Sequence, residues 1–216
     1  WLGLPPTVAN GTNRVGIFLQ NSVGILTLWK GGKLQIQGWH RFAIPTILGA
    51  LGGAVLAARI DDVVMNWVII AVMVSMIILV MLKPQRWLRT AVEQTEWKWW
   101  MALVFFGIGL YGGFIQAGVG ILLLVGLVLV AGYDPVSGNA VKLWLTLIFT
   151  CVTVPVFAWN GQIDWAIGGL MAVGQGVGAY LAARFAVKSE NAGVWIRRIL
   201  VVVALASVAK LLSTLL

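Results

Sequence analysis

Two short polar clusters hold the residues of this sequence best suited to chemistry. Asn10-Gly11-Thr12-Asn13-Arg14 and Asn139-Ala140-Val141-Lys142 each set amides and a cation a few residues after proline, Pro5-Pro6 in one case and Pro135 in the other. Proline favours the first turn of a helix, so both clusters open helices. Helix N-termini carry free N–H groups and partial positive charge, which attract anions. The chemistry indicated is therefore recognition of an anion, with Asn10, Thr12, Asn13, Arg14, Asn139 and Lys142 as the binding set. Other chemistries lack their residues. One histidine (His40) and one cysteine (Cys151) exclude bis-histidine haem, zinc clusters, paired-cysteine redox motifs and intrachain disulfides. No phosphate loop, nucleophile elbow or metal-spaced cluster occurs. No catalytic residue, metal ligand or cofactor is expected; His40 reads as interfacial and Cys151 as packing.

The elements that position these clusters must lie in a bilayer. Of 216 residues, 60% are hydrophobic and 10% charged, and the mean hydropathy is +0.95. A soluble domain needs far more charge to cover its surface. Runs such as Val63–Leu82 match the roughly 20 residues that span a membrane as a helix, and the short alternating segments of a transmembrane barrel are absent. The spacing predicts an all-α polytopic membrane protein with eight hydrophobic segments, at 7–29, 42–59, 63–82, 97–113, 115–132, 138–159, 164–186 and 193–214. The net charge of +8 is no nucleic-acid signal, because the cations sit in short loops, where positive-inside topology accounts for them. The tryptophans near segment ends form an interfacial belt. The fourth and fifth segments are crowded with glycine (Gly107, Gly109, Gly112, Gly113, Gly118, Gly120), which weakens helices. Two tilted helices or a re-entrant hairpin both fit, and irregular backbone at that depth needs protein or a water-filled cavity around it.

An internal repeat relates the two clusters. Leu4-Pro5-Pro6-Thr7-Val8-Ala9-Asn10 recurs as Tyr133-Asp134-Pro135-Val136-Ser137-Gly138-Asn139, an offset of 129 residues that also pairs Trp29–Leu34 with Ala158–Ile163. After a four-residue gap, Leu56-Ala57-Ala58-Arg59 matches Leu181-Ala182-Ala183-Arg184, and Gly49, Gly53 and Ala57 pair with Gly174, Gly178 and Ala182. The chain divides into a first repeat (1–83), a cytoplasmic linker (84–96) and a second repeat (97–216). In this register the glycine-rich hairpin has its counterpart upstream of Trp1.

Loop charge then fixes orientation. Lys30, Lys33 and Arg41, then Lys83, Arg86, Arg89 and Lys98, then Lys188, Arg197 and Arg198 mark three cytoplasmic connections. The connections holding Asp61 and Asp62, and Asp164, lie opposite. The first segment runs inward and its counterpart, the sixth, runs outward, so the repeats are inverted. Inverted repeats with a broken element are the pattern of secondary transporters, with a site near the midplane. If both helix starts lie below the surface, Arg14 and Lys142 face one cavity. No Asp or Glu lies inside a segment, so a buried-carboxylate proton relay is absent.

These residues resemble a known family. Gly3-Leu4-Pro5-Pro6-x-Val8-Ala9-Asn10-Gly11-Thr12-Asn13-Arg14 is similar to the first-half signature of the sulfite exporter TauE/SafE family. Tyr111-Gly112-Gly113-Phe114-x-x-Ala117-Gly118-Val119-Gly120, Asn139-Ala140-x-Lys142-Leu143, Asn160-Gly161-Gln162-Ile163-Asp164-Trp165 and Gly178–Arg184 resemble its second-half pattern. The resemblance implies export of sulfite, sulfoacetate or a related organosulfonate across the bacterial inner membrane by a multi-pass protein. It adds Gln116, Gly118 and Gly120 to the candidate substrate-binding residues; Gln116 departs from the family's usual residue and is placed to tune the substrate. Partners are the small anion and the lipid bilayer, without nucleic acid, and a homo-oligomer is compatible. An uptake permease and an anion channel of the same fold remain the alternatives.

Overall fold

A computed structural model describes residues 3–32, 34–81 and 96–188, which form helices joined by short connections. The first helix, α1 (Pro6–Lys30), and the helix α6 (Pro135–Trp159) each have 25 residues and start at prolines 129 positions apart. The same offset pairs the flanking glycines. Gly3 and Gly132 have φ of 70° and 73°, and Gly32 and Gly161 have φ of 66° and 67°, a left-handed conformation that glycine adopts without steric penalty. The helix α2 (His40–Arg59) and the helix α7 (Trp165–Lys188) follow, their starts 125 positions apart, as the four-residue gap requires. The sequence repeat is thus a structural repeat, down to its turns.

Each of the paired helices begins where the other ends. In the second turn of α1, Thr12 Oγ1 accepts a 2.9 Å hydrogen bond from Asp164 N, in the connection between α6 and α7. In the first turn of α6, Ser137 Oγ donates to Gln35 Oε1 at 2.9 Å, in the connection between α1 and α2, and the Tyr133 hydroxyl donates to the Gln37 carbonyl. α1 and α6 are therefore antiparallel, which is the inversion expected from loop charge.

Between the repeats come α3 (Asp62–Met81) and a broken hairpin. The helix α4 (Trp99–Phe114) has 16 residues, about 24 Å at 1.5 Å per residue and short of a roughly 30 Å hydrocarbon core. The chain then breaks at Ile115–Gly118, turns through Gly118 at φ 74° and returns as α5 (Val119–Val125), continued by a π-helical turn over Gly126–Val130. Both ends of the hairpin meet at one edge of the bundle: the Phe42 ring lies 5.3 Å from that of Trp97 and 5.9 Å from that of Tyr133. The fourth and fifth segments accordingly form a re-entrant hairpin, not two full spans.

Glycine sets how closely the hairpin packs. α2 and α4 run parallel and form the most extensive helix pair among the described residues. A Cβ at Gly49 would fall on the Phe106 carbonyl, one at Gly53 on that of Leu110, and one at Gly113 on that of Ala50. Phe42, Phe105, Leu123, Leu127, Val141, Leu145 and Phe149 fill the space between α2, the hairpin and α6. The equivalent glycines of α7 behave differently: nothing described lies within 4 Å of a Cβ built at Gly174 or Gly178. Among the described residues, the glycines that the repeat pairs take part in close backbone packing on α2 but not on α7.

Three described helices, α2, α6 and α7, are long and apolar enough to cross a membrane, while α1 is interrupted by its polar residues. Trp29, Trp99, Trp159 and Trp165 project from helix ends as an exposed belt. The expected last segment (193–214), most of the linker 84–96, and Lys33, Lys83, Arg86, Arg89, Arg197 and Arg198 lie outside the described residues.

Two outcomes follow from this geometry. In a Cys151→Ser background, single cysteines replacing Gln35 and Gln162 react with an impermeant maleimide from opposite membrane faces; labelling of both from one face would make the repeats parallel. Gly53→Leu and Gly113→Leu each abolish monodisperse protein in detergent, because a side chain there must displace backbone and overpacking costs about 1–3 kcal/mol or more. Normal gel filtration of both variants would refute the α2–α4 contact.

Candidate functional site

Breaking α4 leaves its last carbonyls without intrahelical donors. At membrane depth no water is at hand to replace them, and each orphan costs several kcal/mol. The structure supplies a donor for each. Tyr111 O accepts from Ile115 N at 2.8 Å. Gly112 O accepts from Arg14 Nη1 at 3.3 Å, and Gly113 O from Arg14 Nη2. Phe114 O accepts from Asn10 Nδ2 at 2.8 Å. Asn10 and Arg14 stand one helical turn apart on one face of α1, so a single helix surface caps the hairpin tip.

Arg14 has further partners. Nη1 also donates to Gln116 Oε1 and to Thr153 Oγ1, both at 3.2 Å, and the guanidinium lies 4.4 Å over the Phe157 ring. Gln116 Nε2 reaches Thr150 Oγ1 at 3.4 Å. The side chain is fully buried, with Nε alone lacking a partner. Its charge rests on the negative end of the α4 dipole, not on an acidic residue.

Lys142 sits elsewhere. Its Nζ donates to Asn139 Oδ1 at 2.7 Å, leaving two of its three protons without an acceptor among the described residues. Its Cδ would lie 3.8 Å from a Cβ at Gly120, just past the Gly118 turn. Thr153, which Arg14 touches, is 11 residues beyond Lys142 on α6, about 16 Å along the axis. The structure thus divides the expected set in two: Asn10, Arg14 and Gln116 meet at the tip, and Asn139 and Lys142 meet beside Gly120. Thr12 and Asn13 join neither group. Thr12 holds the α6–α7 connection, and Asn13 Oδ1 accepts from Gln175 Nε2 of α7 at 3.2 Å.

The helix ends, expected to be open to an anion, already hold carboxylates. Asp62 Oδ1 accepts from Thr7 N at 3.0 Å and Thr7 Oγ1 at 2.7 Å, capping α1 from the first turn of α3. Asp134 caps α6 by accepting from Val136 N and Ser137 N. A cavity of about 480 Å³, lined by Leu34–Gln37, Tyr133 and Ser137, opens at this end of α6, one turn from Asn139 and Lys142.

Sequence reasoning missed Thr150, Thr153, Gln175 and the reach of Asp62. The two threonines had a signal: Lys142, Thr146, Thr150 and Thr153 recur at helical spacing, one stripe of α6. Asp62 had none, since its partner is 55 residues away.

The cap makes a stability prediction. Arg14→Gln strips donors from two buried carbonyls, at about 1–3 kcal/mol for each group left unsatisfied, and lowers the thermal midpoint in detergent. Arg14→Lys recovers part of the loss, because a point donor cannot serve both carbonyls as the planar fork does. An unchanged midpoint in both variants would show that the cap carries no stability.

Comparison with known proteins points to membrane transporters. The sequence profile of the sulfite exporter TauE/SafE family matches residues 1–211. A probable membrane transporter protein, ORF9, of a Sinorhizobium species is 26% identical over 215 residues, 98% of this chain and 80% of that protein. A probable membrane transporter protein of Haemophilus influenzae is 21% identical over 182 residues, 84% of this chain and 71% of that protein. No solved structure gives a significant match. Family and relatives alike are named as transporters rather than enzymes. With nearly its whole length matched, this chain belongs to the sulfite exporter TauE/SafE family of multi-pass membrane transporters.

Proposed function

We propose that the protein exports a small sulfur-containing anion, sulfite or an organosulfonate such as sulfoacetate, across the bacterial inner membrane by alternating access. The observation that carries this reading is the charge inside the bundle. Arg14 and Lys142 are cations at membrane depth, and among the described residues no Asp or Glu lies beyond the first turn of any helix. Intramembrane charges are retained where they serve a pathway, and cations without counter-carboxylates favour an anionic occupant. The name of the family supplies sulfite as the leading candidate.

The anion binds beside Lys142 and Asn139, against Gly118 and Gly120, where a lysine with uncommitted protons meets a backbone lacking side chains. The cavity lined by Gln35, Gln37, Tyr133 and Ser137 is its cytoplasmic vestibule. Asn10, Arg14 and Gln116 act on the same anion through the hairpin tip that they fix, while Thr12 and Asn13 tie α1 to the second repeat. Thr146, Thr150 and Thr153 continue the polar stripe of α6 from Lys142 toward the tip.

Charge-assisted hydrogen bonds are worth roughly 1.5–3 kcal/mol, and 1.4 kcal/mol is a factor of ten. Lys142→Gln, which keeps volume and a donor, therefore weakens sulfite or sulfoacetate binding to purified protein about ten- to a hundredfold without lowering the thermal midpoint. In proteoliposomes the parent shows saturable flux stimulated by anion on the trans side. Unchanged binding in the variant would overturn the site, and unitary conductance steps would mark a channel instead.

A further inference from the structure

The end of α4 is built as a cation site. Four oxygens converge there from the hairpin and from α6: the carbonyls of Gly112 and Gly113, Gln116 Oε1 and Thr153 Oγ1. Thr153 offers only a lone pair, since its own proton goes to Thr150 O at 3.4 Å. Thr150 does the same, donating to Thr146 O at 2.6 Å and accepting from Gln116 Nε2. A surface of acceptors at the negative end of a helix dipole attracts a cation and repels an anion. In transporters with inverted repeats, such half-helix ends and their freed carbonyls hold the coupling ion. Here the place is taken. The Arg14 guanidinium donates to all four oxygens, lies 4.4 Å over the Phe157 ring and is fully buried. The next carbonyl, Phe114 O, accepts from Asn10.

We infer that the broken end of α4 is a cation-binding site whose cation is the Arg14 side chain, so that the anion crosses without a co-transported cation and its flux follows the membrane potential. A cation that belongs to the chain cannot leave with the substrate. Lys142, the other cation of the bundle, is tethered in the same way. Carboxylates are the usual carriers of coupling protons, and among the described residues Asp61, Asp62, Glu96, Asp134 and Asp164 all lie in connections, caps or first turns. Net negative charge therefore moves with each anion. In a cell whose interior is negative that movement is outward, and a potential of about 60 mV sustains a roughly tenfold gradient of a singly charged anion. The energetic part rests on the proposed export of an anion, whereas the cation site rests on geometry alone.

Each part has its own test. Arg14→Ala empties the cage of oxygens. Guanidinium chloride at millimolar concentration, present throughout purification in detergent, raises the thermal midpoint of this variant saturably, and tetramethylammonium chloride at equal ionic strength does not. Lys142→Gln gains nothing from guanidinium. Failure of guanidinium to stabilise Arg14→Ala, or equal stabilisation of both variants, overturns the cation site. The parent protein supplies the second readout, in proteoliposomes loaded with sulfoacetate or sulfite. An interior-negative potassium diffusion potential speeds efflux and an interior-positive one slows it. Efflux is unchanged when N-methylglucamine replaces sodium, or when a pH difference is imposed at zero potential. Flux that ignores the potential, or that requires sodium or a proton gradient, overturns the inference even where guanidinium binds. No flux of either anion under any gradient refutes the export reading and the potential-driven flux with it, while the guanidinium result still decides the cation site.

Discussion

A helix broken inside hydrocarbon must find donors for the carbonyls it exposes, and the rest of this bundle is arranged around that need. Water satisfies such groups at the end of a soluble helix; here the partners must be protein. Asn10 and Arg14 provide three of the bonds that close the end of α4. To deliver them, α1 carries polar residues through its first turns, and it is accordingly not among the helices that qualify as spans by length and apolarity. The buried guanidinium is tolerated for the same reason it is useful. Several carbonyl and hydroxyl dipoles, an aromatic face and the negative helix end together replace the hydration it has lost.

Close packing by glycine answers the complementary problem of place. A tip capped from α1 must also be held at a fixed depth, and the backbone contact of α4 with α2 does this over about two turns of α2, from Thr46 against Gly109 to Gly53 against Leu110. Dispersion and interhelical fit, rather than the hydrophobic effect, stabilise such contacts in lipid. The two devices act on different parts of one hairpin: glycine fixes its shaft, and hydrogen bonds fix its tip. Neither alone would define the break at Ile115–Gly118.

Much of this was legible in the residues. The offset of 129 between Asn10 and Asn139 gave the repeat, the loop cations gave its inversion, and the glycine crowd marked where the hairpin breaks. Those signals survive in sequence because they depend on residue type at a fixed spacing. The role of Arg14 was not legible, because its partners are main-chain carbonyls, which every residue possesses. The separation of Arg14 from Lys142 was hidden for a related reason. Equivalence under a repeat says that two residues occupy similar positions in their own halves; it does not bring them to a common axis. The caps on α1 and α6 show how far equivalent positions diverge: Asp134 serves its own helix, whereas α1 borrows Asp62 from α3.

That divergence bears on how such a bundle could transport. Two cations doing the same work would form one symmetric site, and nothing in the protein would differ between its two faces except the side of entry. Here one cation is committed to backbone and the other is held by a single amide. The committed one belongs to the stable frame, since moving the hairpin tip requires several buried hydrogen bonds to exchange at once. In the proposed function, Lys142, held by one amide among the described residues, is the cation that must bind the anion weakly enough to release it. A carrier of the proposed kind needs both, a rigid tip and a cation loose enough to let its anion go, and inverted repeats allow equivalent positions of one pattern to be specialised into each.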